Sequence, residues 1–259
     1  MDMYQYNYDG RRWYYQDGRW YASVTSFVKN SLPLAPHLVK WYKDNSAQFI
    51  DNTLEETAAY GTQLHGMVEE LIRFGELDVS EIKDEKTLKH ISSLAQFLHD
   101  WEVQPMAIEK RLKHDATRKF PLNFAGTVDL IADTNKGISI IDFKSGGIYD
   151  THRYQMMCYY LAWIQGKTSE DDLSSVDSIS FVNVRPKEWR KSPTYEAKIW
   201  RITDKDWERL SAMCQIYEFD YPKERLILDK LEMGKAPIFK TMEAEEWINQ
   251  QIKEADWLS

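Results

Sequence analysis

Two short apolar segments that each contain an acidic residue constrain the fold of this chain most strongly. The first, predicted as a strand over 124–132, has Asp129 in Gly126-Thr-Val-Asp, and the second runs from Ile138 to Phe143, with Asp142 directly after its apolar run, and is followed by Lys144. Asn135-Lys136-Gly137 between them is typical of a hairpin turn. Because side chains alternate along a strand, Asp142 and Lys144 should share one face of the second strand. We therefore expect two carboxylates and an amine to meet at one end of a sheet.

That grouping suits phosphodiester hydrolysis. Carboxylate oxygens bind Mg²⁺ or Mn²⁺, and an ion held in this way polarises a phosphate and activates water. A lysine beside it can orient the water or neutralise charge in the transition state. An Asp-x-Lys pattern alone also fits a solvated strand face or a surface ion pair. The uninterrupted apolar run before Asp142 favours a buried strand instead.

The flanking segments predict helices around this sheet. Aromatic residues 4–22 with two Asp-Gly turns predict small hairpins, whose rings could stack on single-stranded bases or form a lid. Periodicity predicts helices over 53–74, with Thr53 as the cap and Gly75 at the end, and over 84–101. Further predicted elements are strands at 106–113, 178–184 and 195–202, and helices at 151–164, 204–219 and 243–257.

The order of these elements predicts an α/β fold with a central mixed β-sheet flanked by helices and a helical N-terminal region. We expect one domain over residues 1–259, with hairpins and a helical cap in 1–104 and the catalytic core and closing helices in 105–259.

Composition narrows the class of protein. A formal net charge of −8 argues against a protein that coats nucleic acid non-specifically. The two cysteines are too few for a disulfide framework or a four-cysteine cluster, and we expect both to be reduced. No membrane-spanning run and no secretory signal is evident, so we expect a cytoplasmic protein in a bacterial or phage-infected cell.

Four motifs in order carry a family resemblance. They are His65 in Gly-Thr-Gln-Leu-His, Gly126-x-x-Asp129, Asp142-x-Lys144 and Gln155-x-x-x-Tyr159. Over about residues 20–200 the chain resembles the RecB-like branch of the PD-(D/E)XK nuclease superfamily, which has a restriction-endonuclease-like core. Within that branch it is similar to phage-type exonucleases and to the mitochondrial genome-maintenance exonuclease.

The resemblance implies a role for each motif residue. Metal ligands would be His65, Asp129, Asp142 and the backbone carbonyl of Phe143, and Lys144 would be the catalytic lysine. Glu109 matches an acid on the first core strand, as a ligand through water or as a structural acid. Gln155 and Tyr159 share a helix face and would contact substrate or orient the lysine. From the residues alone, Tyr159 could also be plain core and His65 a partly buried, hydrogen-bonded histidine.

The resemblance also implies a Mg²⁺- or Mn²⁺-dependent deoxyribonuclease, with exonuclease action on linear or single-stranded DNA preferred. Basic residues near the motifs are candidates for phosphate contacts, namely Lys110, Arg111, Arg153 and Arg185. A partner in recombination or single-strand binding and a homo-oligomer are both compatible with it. The alternatives are a structure-specific or restriction-type endonuclease and a non-catalytic DNA-binding or assembly protein.

Overall fold

The computed structural model of the chain describes residues 3–8, 11–80, 82–165, 176–191 and 193–220. Its strands are β1 (Tyr4–Tyr8), β2 (Arg11–Gln16), β3 (Arg19–Ser23), β4 (Gln104–His114), β5 (Phe124–Asp133), β6 (Ser139–Phe143), β7 (Ser180–Pro186) and β8 (Tyr195–Trp200). Its helices are α1 (Val24–Ser31), α2 (Pro36–Asp44), α3 (Ala47–Phe74), α4 (Glu85–Asp100), α5 (His152–Ile164) and α6 (Asp204–Asp220). The predicted helix at 243–257 lies outside the described residues.

All eight strands form one mixed sheet in the order β1-β2-β3-β5-β6-β7-β8, with β4 paired to β5. The β3–β5 and β6–β7 pairs are parallel and the others are antiparallel. Helices cover both faces. One apolar cluster joins the sheet to α1, α5 and α6, and the other joins it to α3 and α4. The predicted α/β class with a mixed sheet between helices is confirmed.

The strand β6 is covered on both faces, with Ile140 in one apolar cluster and Ile141 and Phe143 in the other. All five of its residues are buried, including Asp142, so it lacks the alternation of a half-exposed strand. The predicted turn before it is present, since Gly137 has a φ of 84° and its N–H donates to the carbonyl of Thr134 at 2.8 Å. A left-handed φ at this point favours glycine.

The strand β5 changes partner along one edge, and this opens the sheet locally. Phe124 and Ala125 pair with β3, whereas Leu130 to Ala132 pair with β6. Within the described chain, residues 126–129 therefore have no ladder partner on that edge. The Gly126-x-x-Asp129 motif occupies this gap, and Gly126, Thr127 and Asp129 line a pocket there, whereas Val128 is buried in the core.

The start of α3 was predicted wrongly. The helix begins at Ala47 after the cap Ser46, whose hydroxyl accepts a hydrogen bond from the Phe49 N–H at 3.3 Å. Thr53 is an interior residue that donates its hydroxyl to the Phe49 carbonyl at 2.7 Å. A helical threonine can bond the carbonyl four residues back, so its capping chemistry does not mark a helix start here. The predicted end is confirmed, because Gly75 adopts a φ of 73°.

The aromatic hairpin residues are mostly core, which corrects the hypothesis that they stack on bases or form a lid. Trp13, Tyr14, Trp20 and Tyr21 are each at most 5% exposed. They are buried because β1–β3 extend the main sheet instead of standing apart from it. The turn of the second hairpin is as predicted, with positive φ at Asp17 and Gly18, and that of the first lies outside the described residues.

Both cysteines, Cys158 and Cys214, are free and buried, as expected for reduced thiols. Among the described residues, no helix combines the length and the apolar character needed to cross a bilayer.

Candidate active site

A pocket of about 600 Å³ opens beside the gap in the sheet. Its lining comes from α3, from the N-terminal strands β2 and β3, from the central strands β4, β5 and β6, and from α5. All the predicted motif side chains except Phe143 line it, namely His65, Glu109, Asp129, Asp142, Lys144, Gln155 and Tyr159. The four motifs, far apart in sequence, thus meet in one cavity.

The two aspartates meet because of the β5–β6 register. Leu130 pairs with Ile141 in an antiparallel ladder, so the next pair along it brings Asp129 beside Asp142. The carboxylate of Asp129 accepts a hydrogen bond from the Phe143 N–H at 2.8 Å. The Phe143 ring points away into the apolar layer under α4, 6.2 Å from the ring of Phe97. The Phe143 backbone therefore lies next to Asp129 while its side chain belongs to the core.

Lys144 forms an ion pair with Asp142 at the inner wall of the pocket. Its ammonium lies 3.0 Å from Oδ1 and 2.8 Å from Oδ2 of Asp142 and donates to Gln155 Oε1 at 3.2 Å. The Gln155 amide in turn donates to Asp142 Oδ1 at 3.0 Å and to the Tyr159 hydroxyl at 3.1 Å. Since these contacts fix the lysine in one position, Gln155 orients both partners of the ion pair.

Asn183 belongs to the same network and was missed in the sequence. It lies in β7, directly paired with Asp142, and its amide donates to Asp142 Oδ2 at 2.6 Å. Its carbonyl oxygen accepts from the Trp200 indole N–H, also at 2.6 Å. Asn183 is fully buried. The sequence did contain a sign of this role, since Asn183 lies inside an apolar strand and a buried amide requires specific hydrogen-bond partners.

His65, Glu109 and Asp129 form a second group in front of this network. One ligand atom from each lies within 4.8 Å of the others, and His65 Nδ1 is 3.4 Å from Asp129 Oδ2. Burial, followed by the charge of Asp142, raises the pKa of Asp129 from its ordinary 3.8 to about 7. Burial also raises the pKa of Glu109. Two carboxylates held against their preference for water, with an imidazole, fit a divalent cation.

The backbone at Glu109 is unusual for a strand. Its φ is +45°, in the left-handed region that a non-glycine residue rarely adopts. β4 also has a register shift between Pro105 and Ala107. Strain of this kind persists only where the surrounding structure imposes it, and it often accompanies functional side chains. At Glu109 it coincides with a carboxylate that faces the pocket.

None of the four predicted phosphate-binding cations lines the pocket. The Arg111 guanidinium donates to the Met3 carbonyl at 2.6 Å, and Lys110 is exposed on β4. Arg153 pairs with Asp206 at 3.3 Å, and Arg185 pairs with Glu196 at 2.8 Å. Proximity in sequence to the motifs therefore did not bring these residues into the pocket, and their contact with phosphate elsewhere on the surface stays a prediction. The cations in the described lining of the pocket are Arg12 and Lys144.

Gly126 explains why two of the motifs occur together. A Cβ added at this position would lie 2.9 Å from Cε1 of Tyr159 and 3.3 Å from Val24. Tyr159 is 3% exposed, and burial raises its pKa well above the ordinary value, so its hydroxyl stays protonated. The tyrosine of one motif thus packs directly on the glycine of the other.

We expect Gly126→Ala to lower the free energy of unfolding by about 1–3 kcal/mol, because the buried tyrosine ring must move. Chemical denaturation measures the effect. Gly66→Ala is a matched control, since an added Cβ there meets nothing within 4 Å and the site is helical. Gly66→Ala should leave the free energy of unfolding unchanged or raise it by up to about 1 kcal/mol. Equal effects at both positions would refute the steric account.

Residues 39–232 match the sequence model of the PD-(D/E)XK nuclease superfamily. Together with the mixed sheet and the clustered motifs, this shows that the chain belongs to the PD-(D/E)XK nuclease superfamily. No curated protein matches the chain in sequence. Family membership makes it a nuclease by class, with nucleic acid as the implied substrate and a divalent metal as the usual cofactor.

Proposed function

We propose that this protein is a Mg²⁺- or Mn²⁺-dependent deoxyribonuclease that hydrolyses phosphodiester bonds with activated water and no covalent intermediate. The observation that supports this best is the meeting of the His65, Glu109 and Asp129 cluster with the Lys144–Asp142 pair in one pocket. A protein that had kept only the fold would not need to hold an acid and a lysine in that arrangement.

His65, Glu109 and Asp129 would hold the metal, with the Phe143 carbonyl and Asp142 completing the set. Oxygen donors suit Mg²⁺, and the imidazole nitrogen makes the site suitable for Mn²⁺ as well. A bound divalent ion supplies Lewis-acid polarisation of the phosphate and a lowered pKa for water. The protein contributes the fixed positions of these donors.

Lys144 is the proposed catalytic lysine. Its ammonium lies between Asp142 and Gln155 and can donate hydrogen bonds to the attacking water or to a phosphate oxygen. Gln155 keeps the ammonium facing the pocket, and Asn183 together with Trp200 holds the opposite side of Asp142. Gln155 and Asn183 are therefore positioning residues in this scheme.

We assign the chain to the RecB-like branch, with exonuclease action on linear or single-stranded DNA. The support is the ordered set of His, Gly-x-x-Asp, Asp-x-Lys and Gln-x-x-x-Tyr motifs, all of which supply pocket residues. Processing of DNA ends in recombination, repair or phage replication in the cytoplasm is the proposed setting. The likeness to the mitochondrial genome-maintenance exonuclease is part of the same proposal.

The test uses end-labelled linear DNA and closed circular DNA, each single- and double-stranded, in Mg²⁺, Mn²⁺ or EDTA. We expect the linear forms to be degraded only with a metal and the circles to survive. Cutting of circles would replace the exonuclease with an endonuclease. Binding without cleavage of any form would leave a non-catalytic DNA-binding protein.

A further inference from the structure

The pocket is much larger than a metal site and has a second half that the hydrolytic residues do not use. Its volume is about 600 Å³, whereas a water molecule occupies about 30 Å³. Glu109, Asp129 and Asp142 come from the central strands. The N-terminal strands and the start of α1 add a wall without carboxylates, whose polar side chains are Arg12, Tyr14, Ser23 and Thr25, and α3 adds Thr57, Thr62, His65 and Glu69.

Arg12 reaches the pocket because of its place in β2. Trp13 is 1% exposed and packs in the main core, so its neighbours Arg12 and Tyr14 point to the opposite side, where both line the pocket. The backbone N–H of Arg12 donates a hydrogen bond to the Ser26 hydroxyl at 3.4 Å, and this contact joins β2 to α1. The pairing of β2 to β3 and of β3 to β5 then fixes the strand beside Gly126.

The guanidinium of Arg12 is available for a ligand. Its side chain is exposed, and it forms no ion pair with any residue in the part of the chain that the structure describes. Arg153 and Arg185, in contrast, are each neutralised by a carboxylate. The Ser23 and Thr25 hydroxyls lie 2.9 Å apart in the same wall. A guanidinium with neighbouring hydroxyl donors is suited to a phosphate group.

We propose that this half of the pocket is a second phosphate subsite, in which Arg12, Ser23 and Thr25 bind the phosphate adjoining the one that is hydrolysed. The proposal rests on the proposed nuclease function. It goes beyond family membership, because the family match begins at residue 39 and excludes all three residues. The N-terminal strands thus supply substrate binding to a core that supplies the chemistry.

The test compares Arg12→Ala with the wild type and with Arg19→Ala. Arg19 is an exposed arginine on the neighbouring strand that lies 3.7 Å from Asp115 and does not line the pocket. Binding of a fluorescent single-stranded oligodeoxynucleotide is measured in EDTA at several salt concentrations. Cleavage is measured with Mn²⁺ on oligonucleotides in which one phosphate at a time is a neutral methylphosphonate.

Arg12→Ala should weaken binding about 10- to 100-fold and lower the slope of log Kd against log salt by about one. Arg19→Ala should bind within about threefold of the wild type. In the wild type, a methylphosphonate at one position beside the cleaved bond should lower kcat/KM by a similar factor. The same substitution should have little further effect on Arg12→Ala, because both changes remove one contact.

Binding of Arg12→Ala equal to that of Arg19→Ala would overturn the subsite, and so would additive losses at every methylphosphonate position. Failure of the nuclease proposal is distinguishable, because a wild type that cleaves nothing still reports the Arg12 contact through the binding measurement in EDTA.

Discussion

Replacing Lys144 with methionine should lower the single-turnover rate of DNA cleavage by about 10³-fold while leaving DNA binding within about tenfold of the wild type. Methionine keeps the length and most of the apolar stem but removes the ammonium. Electrostatic and proton-transfer groups at reacting atoms typically contribute 10²- to 10⁴-fold. The affinity for DNA should change less than the rate, because the ammonium of Lys144 is only one of the charges that contact the phosphates.

Lys198→Met is the matched control for this prediction. Lys198 lies on β8, pairs with Asp150 at 3.3 Å and packs 3.8 Å from the centre of the Trp200 ring, but it does not line the pocket. The same change of residue there should leave the cleavage rate within about threefold of the wild type. Folding of Lys144→Met is checked by circular dichroism, since Gln155 and Asn183 still donate to Asp142. A Lys144→Met protein that cleaves at more than a tenth of the wild-type rate would remove Lys144 from the catalytic role.

The central part of this site could be predicted from local sequence, because strand periodicity and turn chemistry act over a few residues. An apolar run that ends in Asp142, a turn with Gly137 and a preceding strand that ends near Asp129 are enough to place the two acids side by side. The spacing of Gln155 and Tyr159 likewise placed them on one helix face, and the structure has both in the pocket.

The rest depended on pairing between distant strands, which a single sequence does not reveal. Asn183 contacts Asp142 only because β6 and β7 are parallel neighbours. Arg12 reaches the pocket only because β3 pairs with β5, a strand far away in sequence. In that pairing Ala22 lies beside Phe124, and Ser23 lies beside Ala125. The sequence likewise did not reveal that Arg153 and Arg185 lie outside the pocket, where they pair with Asp206 and Glu196 from later elements.

The raised pKa of Asp129 couples metal binding to pH. In the metal-free protein, burial and the nearby Asp142 raise this pKa to about 7, so Asp129 carries a proton in mildly acidic solution. A divalent cation requires the carboxylate and must displace that proton. The Mn²⁺ affinity should therefore rise about tenfold per pH unit between about pH 5 and pH 7, and should level off above pH 7.

Isothermal titration calorimetry with Mn²⁺, in buffers of different ionisation enthalpy, measures both the affinity and the proton released. Asp129→Asn should bind Mn²⁺ weakly and without this proton, whereas Asp150→Asn, at an exposed carboxylate outside the pocket, should behave as the wild type.

The same pKa makes a second prediction for the metal-free protein. A carboxyl whose folded pKa is raised stabilises the fold below its unfolded pKa of about 4, and that contribution is lost as the pH rises to about 7. The free energy of unfolding of the wild type should therefore fall relative to Asp129→Asn across this range, and Mn²⁺ should reverse the fall at pH 7. An affinity for Mn²⁺ that is the same at pH 5 and pH 7 would show that metal binding displaces no proton from Asp129 in this range and would refute the proposed coupling.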